Sequence, residues 1–200
     1  MNRLLNGLLT AGSILVLTSC SGALNNEQVE ERAKSYDDAA VHEKYAAVKI
    51  TENVVVGEHT GMYEDLKDAG VTPGETVSYL TEFHVISAEQ IGQVEEGAAQ
   101  GNVGASIKWE ANGSKGLKLS VETKTNTTSG DNYMNMSMKA SLVISDEGLL
   151  SSGETEMSID MRLSYAFGES VFVNEGKLSY SETLTYEYLT QAEYDAIQDK

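Results

Sequence analysis

Apolar and polar residues alternate with a period of two along most of the second half of the chain. Successive side chains of a β-strand point to opposite faces, so this period predicts strands with one apolar and one polar face. The clearest apolar rows are Met134, Met136, Met138, Ala140, Leu142 and Ile144, and then Met157, Ile159, Met161, Leu163, Tyr165 and Phe167. Asp146-Glu147-Gly148 and Asn174-Glu175-Gly176 follow these rows and predict the turns of an antiparallel meander.

An earlier pair of strands is predicted around Asn112-Gly113, a strong signal for a short hairpin turn. A two-residue turn would set apolar side chains of the first strand opposite Gly and Lys residues of the second, which the pairing register disfavours. A three-residue loop would set Trp109 opposite Leu117 and Ile107 opposite Leu119. We therefore expect a three-residue or bulged loop.

Helical spacing dominates earlier in the chain. A narrow apolar stripe at this spacing is formed by Val29, Ala33, Tyr36 and Ala40. Asn26 is a suitable N-cap, so we expect a helix from Glu27 to about Val41, with a frayed linker as the alternative. From Tyr45 to Gly57 the period changes to two and β-branched residues dominate, which predicts a strand or a bent pair of strands.

The stretch from Glu58 to Gly104 is open to two interpretations. Thr72-Pro73-Gly74-Glu75 has the cap, the proline and the acidic residue of a helix start, whereas the alternation over residues 77–85 fits a strand. Ser87-Ala88-Glu89-Gln90 opens a candidate helix that would run through Gly97. Near the C-terminus, Thr190-Gln191-Ala192-Glu193 is a capping box that begins a short helix.

Residues 1–19 have the features of an export signal peptide. Arg3 supplies a positive charge, and the apolar run from Leu4 to Leu17 is too short to cross roughly 30 Å of hydrocarbon as a helix. The run ends in Leu17-Thr18-Ser19-Cys20, which resembles the bacterial lipobox. The resemblance implies that the Cys20 thiol receives a diacylglycerol and that a peptidase cuts just before it, leaving a lipidated tether over residues 20–26. The alternative is an ordinary secretory signal with an incidental cysteine.

The remaining residues, 27–200, are predicted to form a single α+β domain that is mainly β. A long apolar sheet face has to be covered, either by closure of the sheet or by helices. We expect an N-terminal helix followed by a long, curved antiparallel meander, a half-barrel with helices in its concave side. The lipobox, the strand pair around Asn112-Gly113-Ser114-Lys115 and the strand–turn–strand element at Asp146 to Leu150 resemble LolA and LppX-LprG lipoproteins in outline, over about residues 27–188. A closed, lipocalin-like barrel is the alternative.

Composition and motifs exclude several kinds of site. The net charge of −17 excludes a basic footprint for nucleic acid, and a single cysteine excludes an intrachain disulfide. We assign no metal-ligand partner to His42, His59 or His84, and we find no nucleophile elbow and no phosphate-binding loop. The sequence therefore predicts a protein that is not an enzyme and has no cofactor and no metal site.

The methionines are the unusual feature of the composition. Methionine is flexible and polarizable, so a row of methionines can adapt to an irregular apolar partner. The candidate residues for lining an apolar ligand are Met134, Met136, Met138, Met157, Ile159 and Met161. The alternative is a methionine-rich core that is simply filled.

Together these features predict a lipoprotein on the extracytoplasmic face of the cell membrane, or on the outer membrane if the host has two. Its expected partners are the membrane, through the lipid on Cys20, and a hydrophobic, lipid-like small molecule bound in the curved sheet. The alternative function is a protein-interaction, adhesion or envelope-assembly module with a filled core. Nucleic acid is not an expected partner.

Overall fold

The computed structural model describes residues 23–67, 69–93, 104–168 and 170–199. Eight strands form one antiparallel sheet in the order β1-β4-β5-β6-β7-β8-β2-β3. Their bounds are β1 (Ala23–Leu24), β2 (Ala47–Gly61), β3 (Gly74–Leu80), β4 (Gly104–Asn112), β5 (Gly116–Ser129), β6 (Asn132–Ile144), β7 (Leu150–Phe167) and β8 (Ser170–Leu189). The fold is mainly β and antiparallel, as predicted. The sheet is open, so the alternative of a closed barrel is wrong.

Four helical segments accompany the sheet in the described part of the chain. They are α1 (Asn26–Lys34), α2 (Asp38–Lys44), α3, of which 88–93 is described, and α4 (Gln191–Gln198). Asn25 caps α1 by accepting the backbone N–H of Gln28, and Asp37 caps α2 by accepting that of Ala40. The cap at Asp37 begins a new helix there, which divides the N-terminal helical stretch in two.

The helices cover one end of the apolar sheet face. Val29 and Ala33 of α1 and Ile91 of α3 pack in one cluster with residues of β4, β5 and β6, namely Trp109, Leu117, Leu119 and Ile144. Beside it, Val41 of α2 packs with Val48 of β2 and with the buried Phe83 and Leu149. We call the part of the sheet under these two clusters the covered end.

The loop between β4 and β5 has three residues, as predicted, but the expected strand pairing is wrong. Trp109 pairs with Leu119 and Ile107 with Val121, two residues further along than expected. The loop is centred on Ser114 because Asp146, in the turn between β6 and β7, holds it there. The Asp146 carboxylate accepts the Ser114 hydroxyl at 2.6 Å and the backbone N–H groups of residues 115 and 116 at 2.9 and 2.7 Å.

The sheet settles one ambiguous assignment and corrects one predicted turn. Residues 74–80, for which the sequence allowed a helix or a strand, form β3 and pair with β2. The turn predicted at Asn174-Glu175-Gly176 is wrong, because β8 runs straight through these residues and the chain reverses at Gly168 instead. Gly176 is required by a close approach of backbone, since a Cβ there would lie 2.5 Å from the carbonyl oxygen of Thr60.

Candidate functional site

The six candidate lining residues lie together on the apolar face of β6 and β7. Met134 pairs with Met161, Met136 with Ile159 and Met138 with Met157, and all six are half-buried. The methionine row lies beyond the covered end on the same face. The hydroxyl of Tyr63, which follows β2, donates to the sulfur of Met161 at 3.0 Å, and burial raises the pKa of Tyr63. The row is therefore partly covered by a neighbouring side chain.

Two concavities in the described part of the chain lie mainly on the opposite, polar face. The first has a volume of about 530 Å³ and crosses all five strands from β4 to β8. Cross-strand neighbours Glu122, Lys139, Glu156 and Ser181 form one row in its floor. The second, of about 430 Å³, is lined by serines of β6, β7 and β8, together with Met157 and Tyr180. Mixed charges and hydroxyls suit a polar ligand rather than an acyl chain.

The ends of β7 and β8 extend beyond their neighbours as a two-stranded ribbon, which we call the arm (residues 163–174). The last pairing of β6 with β7 is at Arg162, and the last pairing of β2 with β8 is at Gly176. Exposed apolar residues of the arm are Leu163, Tyr165, Phe167, Val171, Phe172 and Val173. Phe167, beside the turn, is 80% exposed. The arm is therefore apolar on both faces and has no neighbouring strand in the described chain.

Two side-chain contacts support the paired strands of the arm. Tyr165 and Phe172 are direct cross-strand partners, and their rings stack with centroids 5.6 Å apart and planes 18° apart. At the base, the Asn132 side chain accepts the backbone N–H of Ser164 at 2.6 Å and donates to its carbonyl at 3.3 Å. The Asn132 side-chain amide thus takes the place of the next backbone hydrogen bonds between β6 and β7, and the pairing of these two strands ends here.

The neighbouring hairpin between β5 and β6 ends in a polar tip, residues 126–132, with the sequence Asn-Thr-Thr-Ser-Gly-Asp-Asn. Gly130 at this tip and Gly168 at the arm both have a positive φ, of 60° and 64°. Each glycine directly follows the first strand of its hairpin, and its positive φ favours glycine there. The two hairpins therefore share a glycine with positive φ and differ in what they expose.

A second cluster of functional groups lies where α2 meets the segment after β3. Asp38 and His42 are four residues apart on α2, and His84 approaches from that segment. The Asp38 carboxylate oxygen Oδ2 lies 3.5 Å from His84 Nδ1 and 3.7 Å from His42 Nε2. The sequence alone did not bring these three side chains together. The Asp38–His42 spacing was a visible signal, since residues four apart share a helix face, but His84 joins it only through the fold.

Cys20 and the signal peptide lie outside the described residues. The first described residues, Ala23 and Leu24, were assigned to the tether from sequence, and the structure pairs them with Glu110 and Trp109 of β4. The first described residue of the sheet, Ala23, is thus three residues after Cys20. Within the described ranges, no helix is both long enough and apolar enough to cross a bilayer.

Comparison with known proteins returns no matching family model, no similar curated protein and no similar solved structure.

Proposed function

We propose that this chain is a non-enzymatic lipoprotein, anchored through Cys20 on the extracytoplasmic face of a membrane, that binds a protein partner through the arm. The observation that carries this proposal is the exposure of an apolar ribbon on an otherwise strongly acidic protein. Exposed apolar surfaces of this kind mark interaction sites, and unpaired strand edges favour association with another chain.

The position of the arm supports a partner that is not the lipid of the anchoring membrane. Ala23, three residues after Cys20, pairs with Glu110 near the covered end, and three residues reach about 10 Å at most. β7 starts at the covered end with Leu150 and ends in the arm with Phe167. Its 18 residues span roughly 55–60 Å at about 3.3 Å per residue. We therefore propose that the anchor and the arm lie at opposite ends of the sheet.

The charge of the chain supports the same conclusion. For the arm to enter the anchoring bilayer, the sheet would have to lie along the membrane surface. A net charge of −17 disfavours that orientation beside anionic lipid. The partner we propose is a protein with an apolar cleft that accepts Phe167 and the stacked pair of Tyr165 and Phe172. Such buried aromatic anchors carry much of the free energy of protein–protein binding.

Photocrosslinking in the host tests this proposal with the full chain. A photoreactive amino acid is placed at position 167 in the arm, and in a matched protein at Thr128 in the polar tip. We expect a discrete protein adduct from position 167, no adduct from position 128, and loss of the first adduct when Val171→Asp is added. The identified partner, once purified, should bind the Phe167→Ser variant roughly 30-fold more weakly, as expected for an anchor contributing about 2 kcal/mol.

Other outcomes would overturn the protein-partner proposal. An adduct to lipid would show docking on a membrane, and an adduct of two copies of this chain would show self-association. Equal crosslinking from positions 167 and 128 would show that the arm is not selective. Absence of any adduct from position 167 would leave the arm without a partner.

The methionine row supports a second function, the binding of a lipid-like ligand. The specific observation is the adjacency of five methionines and Ile159 on one face outside the covered end. If the row borders ligand space, Met136→Trp should block binding of a fluorescent fatty acid with little loss of stability. If the row is already filled, the same change should cost about 1–3 kcal/mol by overpacking. A destabilised variant, together with a wild type that binds no probe, would contradict this second function.

A further inference from the structure

We propose that Asp38, His42 and His84 form a binding site for one divalent transition metal ion, with Zn²⁺ as the best fit, at the junction of α2 and the segment after β3. This site is separate from the arm and does not depend on the function proposed for it. Its evidence is the convergence of three potential ligands from two parts of the chain.

The distances within the cluster suit a metal ion bound by three side chains. One ligand atom from each residue can be chosen so that all three lie within 4.8 Å of one another. Oδ2 of Asp38 lies 3.5 Å from His84 Nδ1 and 3.7 Å from His42 Nε2. With Zn–N and Zn–O bonds of about 2.0–2.1 Å, neighbouring ligands of a tetrahedral ion lie about 3.3 Å apart. Movements of a few tenths of an ångström would bring Asp38 Oδ2 to this separation from each imidazole, and the two imidazole nitrogens would approach each other by up to about 1.5 Å.

The structure holds these side chains in place through contacts outside the cluster. The other Asp38 oxygen, Oδ1, accepts the backbone N–H of Val85 at 3.0 Å, which leaves Oδ2 directed at the histidines. This hydrogen bond is the main reason why the pKa of Asp38 is lowered. The His42 ring stacks on Phe83 at 4.7 Å and 22° between planes, and Phe83 is itself buried. Outer contacts of this kind orient ligands for a metal ion.

The ligand set selects the class of ion. Two imidazoles and one carboxylate favour Zn²⁺ and neighbouring transition metals, whereas Ca²⁺ and Mg²⁺ require mainly oxygen ligands. His42 and His84 are exposed, so water can complete the coordination. A bound ion would join α2 to the segment that leads from β3 to α3, next to the core of Val41, Val48, Phe83 and Leu149.

Metal titration of the full chain in detergent tests this inference. Cys20→Ser is introduced throughout to remove the only thiol of the chain. Calorimetry with Zn²⁺ should show one site per chain, and Co²⁺ should give the visible absorption of a histidine-bound ion. We expect His42→Gln, His84→Gln and Asp38→Asn each to weaken Zn²⁺ binding by at least tenfold. His59→Gln is the matched control, because the His59 ring contacts the carbonyl of Gly57 and lies outside the cluster.

The stability readout distinguishes a lost ligand from a lost fold. Zn²⁺ should raise the melting temperature of the parent and of His59→Gln, and should leave that of His84→Gln unchanged. Since the His84 side chain is 71% exposed, this variant should fold normally. Weak binding at many sites with no effect of His84→Gln would overturn the inference, because it would show cation binding by the acidic surface alone. Absence of saturable binding, or equal loss in His59→Gln, would also overturn it.

Discussion

The covered end and the arm belong to the same sheet and are encoded by the same alternation of apolar and polar residues, yet their surroundings are opposite. Leu117 at the covered end is fully buried, and Phe167 in the arm is 80% exposed. Between these ends, the methionine row is half-buried. The two ends differ in burial because α1, α2 and α3 pack on one end of the sheet and no described element packs on the other. Alternation therefore determines which face a side chain occupies, and packing of other elements determines whether that face is buried.

The largest contrast is expected from truncating one side chain at each end. Leu117→Ala should lower the free energy of unfolding by about 2–5 kcal/mol, because it leaves a cavity in a filled core. Phe167→Ala should change it by no more than about 0.5 kcal/mol, as for other exposed positions. Urea denaturation of the full chain measures both values. Comparable losses from the two substitutions would mean that the arm is packed against something in the isolated protein.

A second contrast compares two glycines that share a positive φ and differ in the space around them. Gly148, with φ of 83°, would direct a Cβ into the Tyr36 ring, whereas Gly168, with φ of 64°, has open space there. Gly168→Ala should cost about 1–2 kcal/mol through its backbone conformation alone. Gly148→Ala should cost about 1–3 kcal/mol more, because the ring has to move. Thermal melts measure the difference, and Gly130→Ala in the polar tip should match Gly168→Ala.

A smaller effect is expected at Asp146, which fixes the loop between β4 and β5 at the covered end. The hydrogen bond from the Ser114 hydroxyl has the largest effect, and bonds from backbone N–H groups add to it. Together they lower the pKa of the Asp146 carboxyl from 3.8 to about 2. A lowered pKa contributes stability above the unfolded-state pKa of about 3.9, and this contribution is lost as the pH falls towards 2. Asp146→Asn should cost about 1 kcal/mol at neutral pH. The difference in the free energy of unfolding between Asp146→Asn and wild type should narrow from pH 4 to pH 2. A constant difference would contradict the lowered pKa of Asp146.

The sequence predicted most of the long strands, their faces and the three-residue loop, because these depend on local periodicity and turn residues. It left residues 74–80 open between helix and strand, and it assigned Ala23 and Leu24 of β1 to the tether. It did not predict the arm. Asn174-Glu175-Gly176 has the composition of a turn, but its glycine is needed where Thr60 passes close to β8, and Gly168 makes the reversal. Because the chain reverses at Gly168, residues 171–173 belong to β8, in the part of that strand that extends past β2.

The candidate sites were predicted unevenly for the same reason. The faces of the six lining residues follow from alternation, so their adjacency could be anticipated. The concavities on the polar face depend on how five strands curve together, which no local pattern reports. The metal cluster required His84 to approach α2 across a long sequence separation, and only the position of the segment after β3 brings it there.

Hydrogen exchange on the full chain, alone and with the partner found by crosslinking, tests the central claim most directly. In the free protein, we expect amides of residues 163–174 to exchange much faster than those of the covered end, because an isolated two-stranded ribbon is only marginally stable. With the partner bound, the arm should become protected, while residues 126–132 of the polar tip should stay unchanged. An arm that is as protected as the covered end in the free protein, or that gains no protection with the partner, would contradict the account.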